Sequence, residues 1–305
     1  MPMPVWDSSP ETAPGIAVPG DKKRSTGVLK DFWCFVLRPQ NEKVGFSLPV
    51  KILNLVKLYF FALLTMIPLG ILIFVCCFFL GIEPPDLDLP PSFGTVVLLI
   101  GILSLLEELV FRLPLRFTPL NLAFTFGTIA FIVSGLLLDP LGLPVLVFWA
   151  AVLGIGGAVI GLTFPALRGP KVQPVIAGVY RRHFATLFYT VNLLFALLHI
   201  FNYDYHPRLW LGALVLITPQ LLGGLVLSYL RIRQGFLWST IYHIIWNYLF
   251  IVPMYGFPVL GLSLILLLLF AGLGAKIVIM YGRANRLASG EYRENADRSL
   301  LDVDS

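Results

Sequence analysis

The stretch LLEELVFR, residues Leu105–Arg112, decides how this chain is interpreted. It closes an apolar run that begins near Phe93, so it places two adjacent carboxylates at the end of a predicted membrane helix. Even lenient insertion scales assign a cost of roughly 2.5–3.5 kcal/mol to one Asp at a helix centre. A helix with only a structural role would not normally keep two such acids, so the stretch indicates a functional site.

Composition assigns the chain to the membrane proteins. Its 305 residues are 57% hydrophobic and only 13% charged, with a mean hydropathy of +0.85, and these values exclude an ordinary soluble domain. The three cysteines, Cys34, Cys76 and Cys77, lack the spacing of metal ligands or of a disulfide framework. The polar, proline-rich N-terminus does not read as a cleavable signal peptide, so we expect the first membrane helix to direct insertion.

Apolar runs long enough to cross about 30 Å of hydrocarbon as helices follow the N-terminal segment. The eight runs lie near residues 55–81, 93–114, 119–138, 142–164, 185–203, 208–230, 235–253 and 257–280. The predicted fold class is therefore an all-α, polytopic membrane helix bundle of about eight transmembrane helices.

Loop charges predict the orientation of this bundle. The loops after the first, third, fifth and seventh runs contain a single Lys or Arg, Arg208, whereas the opposite side is rich in both. The positive-inside rule then places both termini in the cytoplasm. We expect the lipid bilayer as a partner, no nucleic acid, and a location in a bacterial plasma membrane.

The runs also divide the chain into segments. In order, these are a flexible cytoplasmic tail (1–47), the first transmembrane helix with its outer loop (48–92), the predicted core (93–253), the last transmembrane helix (254–283) and a polar C-terminal tail (284–305). The apolar residues Phe32–Val36 inside the tail are candidates for the membrane surface. In the fourth run, Gly154, Gly157 and Gly161 are expected to allow close helix contact.

The ionisable side chains inside the predicted membrane helices indicate a single site. Away from helix ends, the ionisable side chains are Glu107, Glu108, His199 and His243, on the second, fifth and seventh runs. Intramembrane acids and histidines usually face the bundle interior and pair with one another. We therefore expect these four residues to share a site.

Residue spacing distinguishes the two acids. Glu108 and Arg112 are four residues apart with the acid first, which places them on one helix face in the favourable orientation. Glu107 points about 100° away around the helix. Glu108 can thus be held by Arg112 while Glu107 stays free for another task. In the alternative interpretation, both acids are neutralised structural groups.

The same spacing recurs on the two histidine helices. His243 and Asn247 share a face, as do Phe195 and His199, whose rings can pack together. Taken alone, each pair is more often a packing or interhelical contact than a site of chemistry. Asn192 lies on roughly the same face as His199, where it can join a polar cluster or simply bond a neighbouring helix.

Taken together, these residues resemble a known family. Three motifs, in this order, are similar to those of the CPBP intramembrane proteases, which include type II CAAX prenyl endopeptidases and proteins like lysostaphin resistance protein A: Glu107-Glu108-x-x-x-Arg112, Phe195-x-x-x-His199 and His243-x-x-x-Asn247. The resemblance covers roughly residues 95–252 and includes the stretch Leu230–Gly235.

The resemblance implies an endopeptidase with its active site inside a helical bundle. Glu107 would activate a water, and His199 and His243 would orient that water or polarise the site. Asn247 would donate to the carbonyl oxygen as it becomes an oxyanion. The supporting residues would be Glu108, Arg112, which holds it, and Phe195. The substrate would be a membrane-associated or lipidated peptide or protein.

Other assignments remain open at this point. Two histidines and an acid, Glu107, His199 and His243, can form a His₂Glu zinc site. The His-Glu-x-x-His signature is absent, however, so we expect no cofactor and keep zinc as the alternative. A proton-coupled transporter would also use such groups. A non-catalytic membrane protein of the bacteriocin-immunity type is a further alternative.

The predicted boundaries contain one conflict with a shared site. His199 lies toward the outer end of its run, whereas Glu107 lies inward of its midplane. At a rise of 1.5 Å per residue, the implied offset is on the order of 10 Å. Helix tilt, a fifth helix that starts later than residue 185, or a shortened second span would be needed to close it.

Overall fold

The computed structural model describes residues 27–82, 92–203 and 207–251, and these residues form helices and their connections without any strand. The all-α prediction is confirmed for this part of the chain. The α-helices it contains are α1 (Val28–Leu37), α2 (Leu48–Leu80), α3 (Phe93–Phe111), α4 (Pro119–Leu138), α5 (Val145–Arg168), α6 (Val172–Arg182), α7 (Phe184–Leu198), α8 (Leu209–Arg233) and α9 (Phe236–Ile251). Short 3-10 turns lie at Leu113–Leu115, Asp139–Leu141 and His199–Asn202.

Five of the described helical segments are long and apolar enough to cross a membrane: Leu48–Leu80, Pro119–Leu141, Val145–Arg168, Phe184–Asn202 and Leu209–Arg233. Large apolar side chains lie exposed on them, such as Leu146 at 82% and Leu214 at 81%. These features identify a helical integral membrane protein. Helices α3 and α9 stand where the second and seventh spans are predicted, although they are not among the five. The run 257–280 lies outside the described residues, and the span count and the orientation stay predictions.

Helix α2 is longer than predicted. It begins at Leu48 and has 33 residues, which gives about 50 Å at 1.5 Å per residue. Its buried residues lie between Leu53 and Ala62, with Leu58 and Tyr59 fully covered, whereas Leu48 at its start and Phe78 near its end are exposed. Gly81 terminates it with a φ of 66°, a left-handed conformation typical of glycine caps. The stretch 53–62 therefore belongs to the protein core.

Helix α8 lies at the centre of the described bundle. Helices α1, α2, α7 and α9 all pack against it, and its last turns, Val226–Arg233, are buried. The chain then reverses at Gly235, whose φ of 114° is accessible mainly to glycine. Because of this tight reversal, α9 packs back against α8 and also reaches α3.

The prediction of a flexible tail over residues 1–47 is wrong for residues 28–37, which form α1. Phe32 and Phe35 are buried and contact the Tyr229 ring edge-on, so they pack on the protein itself. Asp31 accepts a hydrogen bond from Tyr229 Oη at 2.8 Å and lies 3.6 Å from Arg233 Nε. An apolar face and one ion pair thus fix α1 to α8. Residues 1–26 lie outside the described part.

Helices α4 and α5 approach closely, but not at the predicted glycines. A Cβ added at Gly127 would lie 2.9 Å from the Gly156 carbonyl oxygen, and one at Gly156 would lie 3.1 Å from the Gly127 oxygen. A Cβ on any of the predicted residues would meet nothing within 4 Å: Gly154, Gly157 and Gly161. The prediction was wrong because a run of small residues does not show which helix face meets the neighbour.

Candidate functional site

Helix α3 presents its two acids to α9. The Glu108 side chain is completely buried, whereas that of Glu107 is 34% exposed. His243 Nδ1 lies 3.0 Å from Glu108 Oε1, and His243 Nε2 lies 3.4 Å from Glu107 Oε2. One imidazole therefore contacts both carboxylates across the two helices.

Glu108 has further partners that fix its position. Ser239 Oγ donates to Glu108 Oε2 at 2.5 Å, and Arg112 Nε lies 3.8 Å from Glu108 Oε1. Ser239 precedes His243 by four residues, so both project from one face of α9. The contact between Glu108 and Arg112 is the pair that their spacing predicts. Glu108 is thus a fixed anchor for His243.

The Arg112 guanidinium contacts the Phe195 ring and lies near the Glu108 carboxylate. Its central carbon lies 4.0 Å from the centre of the Phe195 ring, which is cation–π geometry. In the described part of the chain, no group accepts a hydrogen bond from its N–H groups. A Cβ at Gly224 would lie 3.1 Å from Phe195 Cδ1 and 3.4 Å from Arg112 Nη2. Gly224 on α8 therefore provides the space for this stack.

Arg231 fixes the end of α3. Its Nε donates to the Arg112 carbonyl at 2.9 Å, and its Nη2 donates to the Leu113 carbonyl at 3.3 Å. Both carbonyls lie just past the end of α3, where each accepts only a long backbone bond of 3.3–3.4 Å, so the additional donors from Arg231 stabilise the terminus. Arg231, which belongs to the stretch Leu230–Gly235, thereby sets the position of the acids one turn earlier.

Asn247 lies one turn after His243 on α9 and contacts α3. Its Nδ2 donates to Ser104 Oγ at 2.9 Å. Ser104 itself precedes Glu108 by four residues and is buried. The amide nitrogen carries two hydrogens, and this bond uses one of them. Asn247 and His243 also line the same small void in the bundle.

The structure does not bring His199 to the acids. Its Nδ1 lies 2.7 Å from the Phe195 carbonyl oxygen, which can only accept, so Nδ1 carries the proton and Nε2 is the acceptor of the neutral ring. The Phe195 ring lies 4.5 Å from the His199 ring and 6.1 Å from the His243 ring. Among the described contacts, no hydrogen bond or ion pair joins His199 to Glu107, and the expected cluster of four is formed only in part.

Two cavities of ligand size flank these residues. The groove between α3, α4 and α5 has a volume of about 570 Å³, and its walls are apolar, such as Phe111 and Trp149, except for Glu107 and Asp139. The cavity between α2, α8 and the 3-10 turn that follows α7 has a volume of about 380 Å³ and contains His199 in its wall. Glu107 and His199 therefore face different cavities, in line with the offset that their positions in the sequence imply.

Asn192 bonds a neighbouring helix, which is one of its two predicted roles, and does not join the polar cluster. Its Nδ2 donates to the Phe188 carbonyl at 2.7 Å, and its Oδ1 accepts from Ser228 Oγ at 2.9 Å. Ser228 is on α8, so this buried amide bonds α7 to its neighbour and does not contact the acids.

The described residues do not assemble the alternative zinc site. In the ranges 27–82, 92–203 and 207–251, no three His, Cys, Asp or Glu side chains are grouped so that they could hold a metal ion. The set Glu107, His199 and His243 is not gathered, because His199 lines the other cavity.

Three residues of the site were missed by the sequence analysis. Ser104 and Ser239 were recognisable, because each stands four residues before a site residue, Glu108 and His243 respectively. Arg231 gave no signal of its role, since the carbonyls that it caps lie about 120 positions earlier in the chain.

Fold and site together define a helical integral membrane protein with a glutamate–histidine site where α3 meets α9. No protein-family model, curated protein or solved structure matches the chain.

Proposed function

We propose that the protein is an intramembrane endopeptidase of the CPBP type, which hydrolyses a peptide bond in a membrane-associated or lipidated substrate. The proposal is supported most by the contact of one histidine, His243, with two glutamates of unequal exposure. A structural pair needs only Glu108, which is fully buried. The second, partly exposed acid has no role in such a pair, whereas a general base must reach its substrate.

Glu107 is the proposed general base. It lines the groove, unlike Glu108, and it contacts His243 Nε2. When His243 Nδ1 donates to the Glu108 carboxylate, Nε2 can accept a proton or, once protonated, donate one. The Glu107–His243 pair can therefore store the proton of a water whose oxygen attacks the substrate carbonyl carbon. The same proton then passes to the amine nitrogen as the C–N bond breaks.

Asn247 is the proposed donor to the oxyanion. It projects from the α9 face that carries His243, and its bond to Ser104 orients the amide. A preorganised donor of this kind typically lowers the barrier by about 3–4 kcal/mol. Glu108, Arg112, Ser239 and Phe195 act through these groups, so they are positioning residues.

The apolar groove supports a substrate that arrives from the bilayer. Its walls can cover an apolar chain segment or a lipid tail, while Glu107 marks the point at which a polar bond can react. We therefore expect cleavage near the membrane-embedded end of a substrate, in a plasma membrane with the protein's termini in the cytoplasm.

The test is the variant Glu107→Gln in the full-length protein. We expect cleavage to fall by about 10²–10⁴-fold, because the amide cannot take a proton but keeps the shape of the side chain. Membranes from cells with either form would be compared for newly exposed peptide termini, and the peptides found would serve as substrates for the purified protein in nanodiscs.

Asp139→Asn is the matched control, since Asp139 is the other acid on the same groove. This variant should keep its activity. Retained proteolysis in Glu107→Gln would remove the proposed base. Proton-dependent solute flux in liposomes, without any proteolysis by the native protein, would instead indicate a transporter. Full biological function in Glu107→Ala would indicate a non-catalytic role.

A further inference from the structure

A hydrolase inside a membrane needs a route for water, and the groove beside Glu107 is almost entirely apolar. The cavity between α2, α8 and the 3-10 turn after α7 has a different wall. Beside apolar residues, it carries four polar side chains in a volume of about 380 Å³: His199, Asn202, Tyr203 and Gln220. Histidines within membrane helices usually face the bundle interior or a water-filled cavity, and the two amides beside this one add further hydrogen-bonding groups.

The short 3-10 turn after α7 makes this wall polar. With three residues per turn, side chains at i and i+3 eclipse, so His199 and Asn202 share one face. The Nδ1 proton of His199 is used by the Phe195 carbonyl, which leaves Nε2 as an acceptor. A buried water needs two to four polar partners and about 30 Å³. The cavity meets both conditions and has room for roughly ten waters.

Gln220 connects this cavity to the proposed active site. Its side chain lines the cavity together with His199, and it also lines the small void together with His243 and Asn247. It follows Pro219, which has no N–H and therefore interrupts the hydrogen-bond ladder of α8 at this level. The amide of Gln220 has two donor hydrogens and one acceptor oxygen, so it can bind water on both sides.

We propose that the cavity between α2, α8 and the 3-10 turn after α7 is a water-filled antechamber, and that Gln220 is a positioning residue that passes water from it toward His243 and Asn247. The void beside those two residues has a volume of only about 10 Å³, which is less than one water needs, so the Gln220 side chain must move for water to enter it. The use of this water in peptide hydrolysis rests on the function proposed above, whereas the hydration of the cavity is independent of it. The antechamber gives a role to His199, which does not contact the acids, and to α2, which lies outside the three motifs.

Cys77 is a natural reporter of hydration, because it lines the cavity, whereas Cys76 next to it does not. Two full-length variants would each keep one of them: Cys34→Ser/Cys76→Ser and Cys34→Ser/Cys77→Ser. In nanodiscs, each would be treated with a charged, water-soluble methanethiosulfonate. The thiolate attacks the reagent's sulfenyl sulfur, forms a mixed disulfide and releases the sulfinate, and this reaction requires water at the thiol.

We expect Cys77 to react at least about tenfold faster than Cys76, and at the same rate when Glu107→Gln is also present. Equally slow labelling of both cysteines would overturn the antechamber. Because the labelling needs no proteolysis, failure of the proposed enzymatic function would leave this result unchanged.

The role of Gln220 has its own readout. We expect Gln220→Leu to lower kcat at least about tenfold with little change in KM, because water delivery and not substrate binding is impaired. Gln220→Asn should restore part of the rate, and Gln173→Leu on the exposed surface of α6 is the matched control. A Gln220→Leu variant with native kcat would remove Gln220 from the water route.

Discussion

The α3–α9 pair and the α4–α5 pair are held together in opposite ways. Polar side chains join α3 to α9, with His243 against the two glutamates and Asn247 bonded to Ser104. Helices α4 and α5 instead approach through backbone at Gly127 and Gly156. Helices in lipid associate mainly through close packing of small residues or through interhelical hydrogen bonds.

This difference explains where chemistry can occur. In the described part of the chain, the α3–α9 interface contains His243 and two glutamates, which can take up and release a proton. Burying such groups between membrane helices is costly. The α4–α5 interface has no such cost and supplies most of the apolar wall of the groove. Under the proposed function, the α3–α9 pair carries the reacting groups and the α4–α5 pair shapes the groove beside them.

The largest expected effect is at the polar interface. Arg112→Met would leave Glu108 buried without its cation, and breaking a buried pair in this way costs about 3–5 kcal/mol. The free energy of unfolding would be measured in mixed micelles by titration with a denaturing detergent. Arg181→Met, at an exposed position on α6, is the control and should change little.

The double variant Glu108→Gln/Arg112→Met sharpens this measurement. Removing both charges should cost less than the sum of the two single variants, because neither charge is then left unpaired. Additive costs would show that Glu108 and Arg112 do not stabilise each other.

An intermediate effect is expected at the backbone contact. A Cβ at Gly127 would meet the Gly156 carbonyl oxygen at 2.9 Å, so α4 and α5 must separate in Gly127→Ala. Overpacking of this kind costs about 1–3 kcal/mol. Gly157→Ala is the matched control, because a Cβ there meets nothing within 4 Å. It should be neutral or slightly stabilising, and an equal loss in both variants would contradict the close approach.

The smallest effect on stability is expected for the hydroxyl that orients Asn247. Ser104→Ala removes one interhelical hydrogen bond, which is worth about 0.6 kcal/mol in a membrane protein. We expect kcat to fall nevertheless, because the proposed oxyanion donor loses its partner. Ser134→Ala on α4 is the control, since that hydroxyl bonds only its own helix, to the Phe131 carbonyl. Unchanged kcat in Ser104→Ala would show that Asn247 does not depend on this bond.

Some of the site was predictable because it depends on one helix at a time. The contact between Glu108 and Arg112 follows from the helical repeat, and so does the contact between the Phe195 and His199 rings. His199 could not be placed in the same way. The cavity that it faces depends on α2 and α8, which come from distant parts of the chain.

The amino-acid sequence by itself determined that this is a helical membrane protein and which residues share one face of a helix. Hydrophobic content and run length are enough for the first, and a repeat of 3.6 residues is enough for the second. Only the tertiary structure decided which faces meet, so that His243 contacts both acids, Gly156 makes the close approach, and α1 packs on α8. Such pairings depend on shape and polar partners contributed by separate helices, and periodicity along one helix carries no information about them.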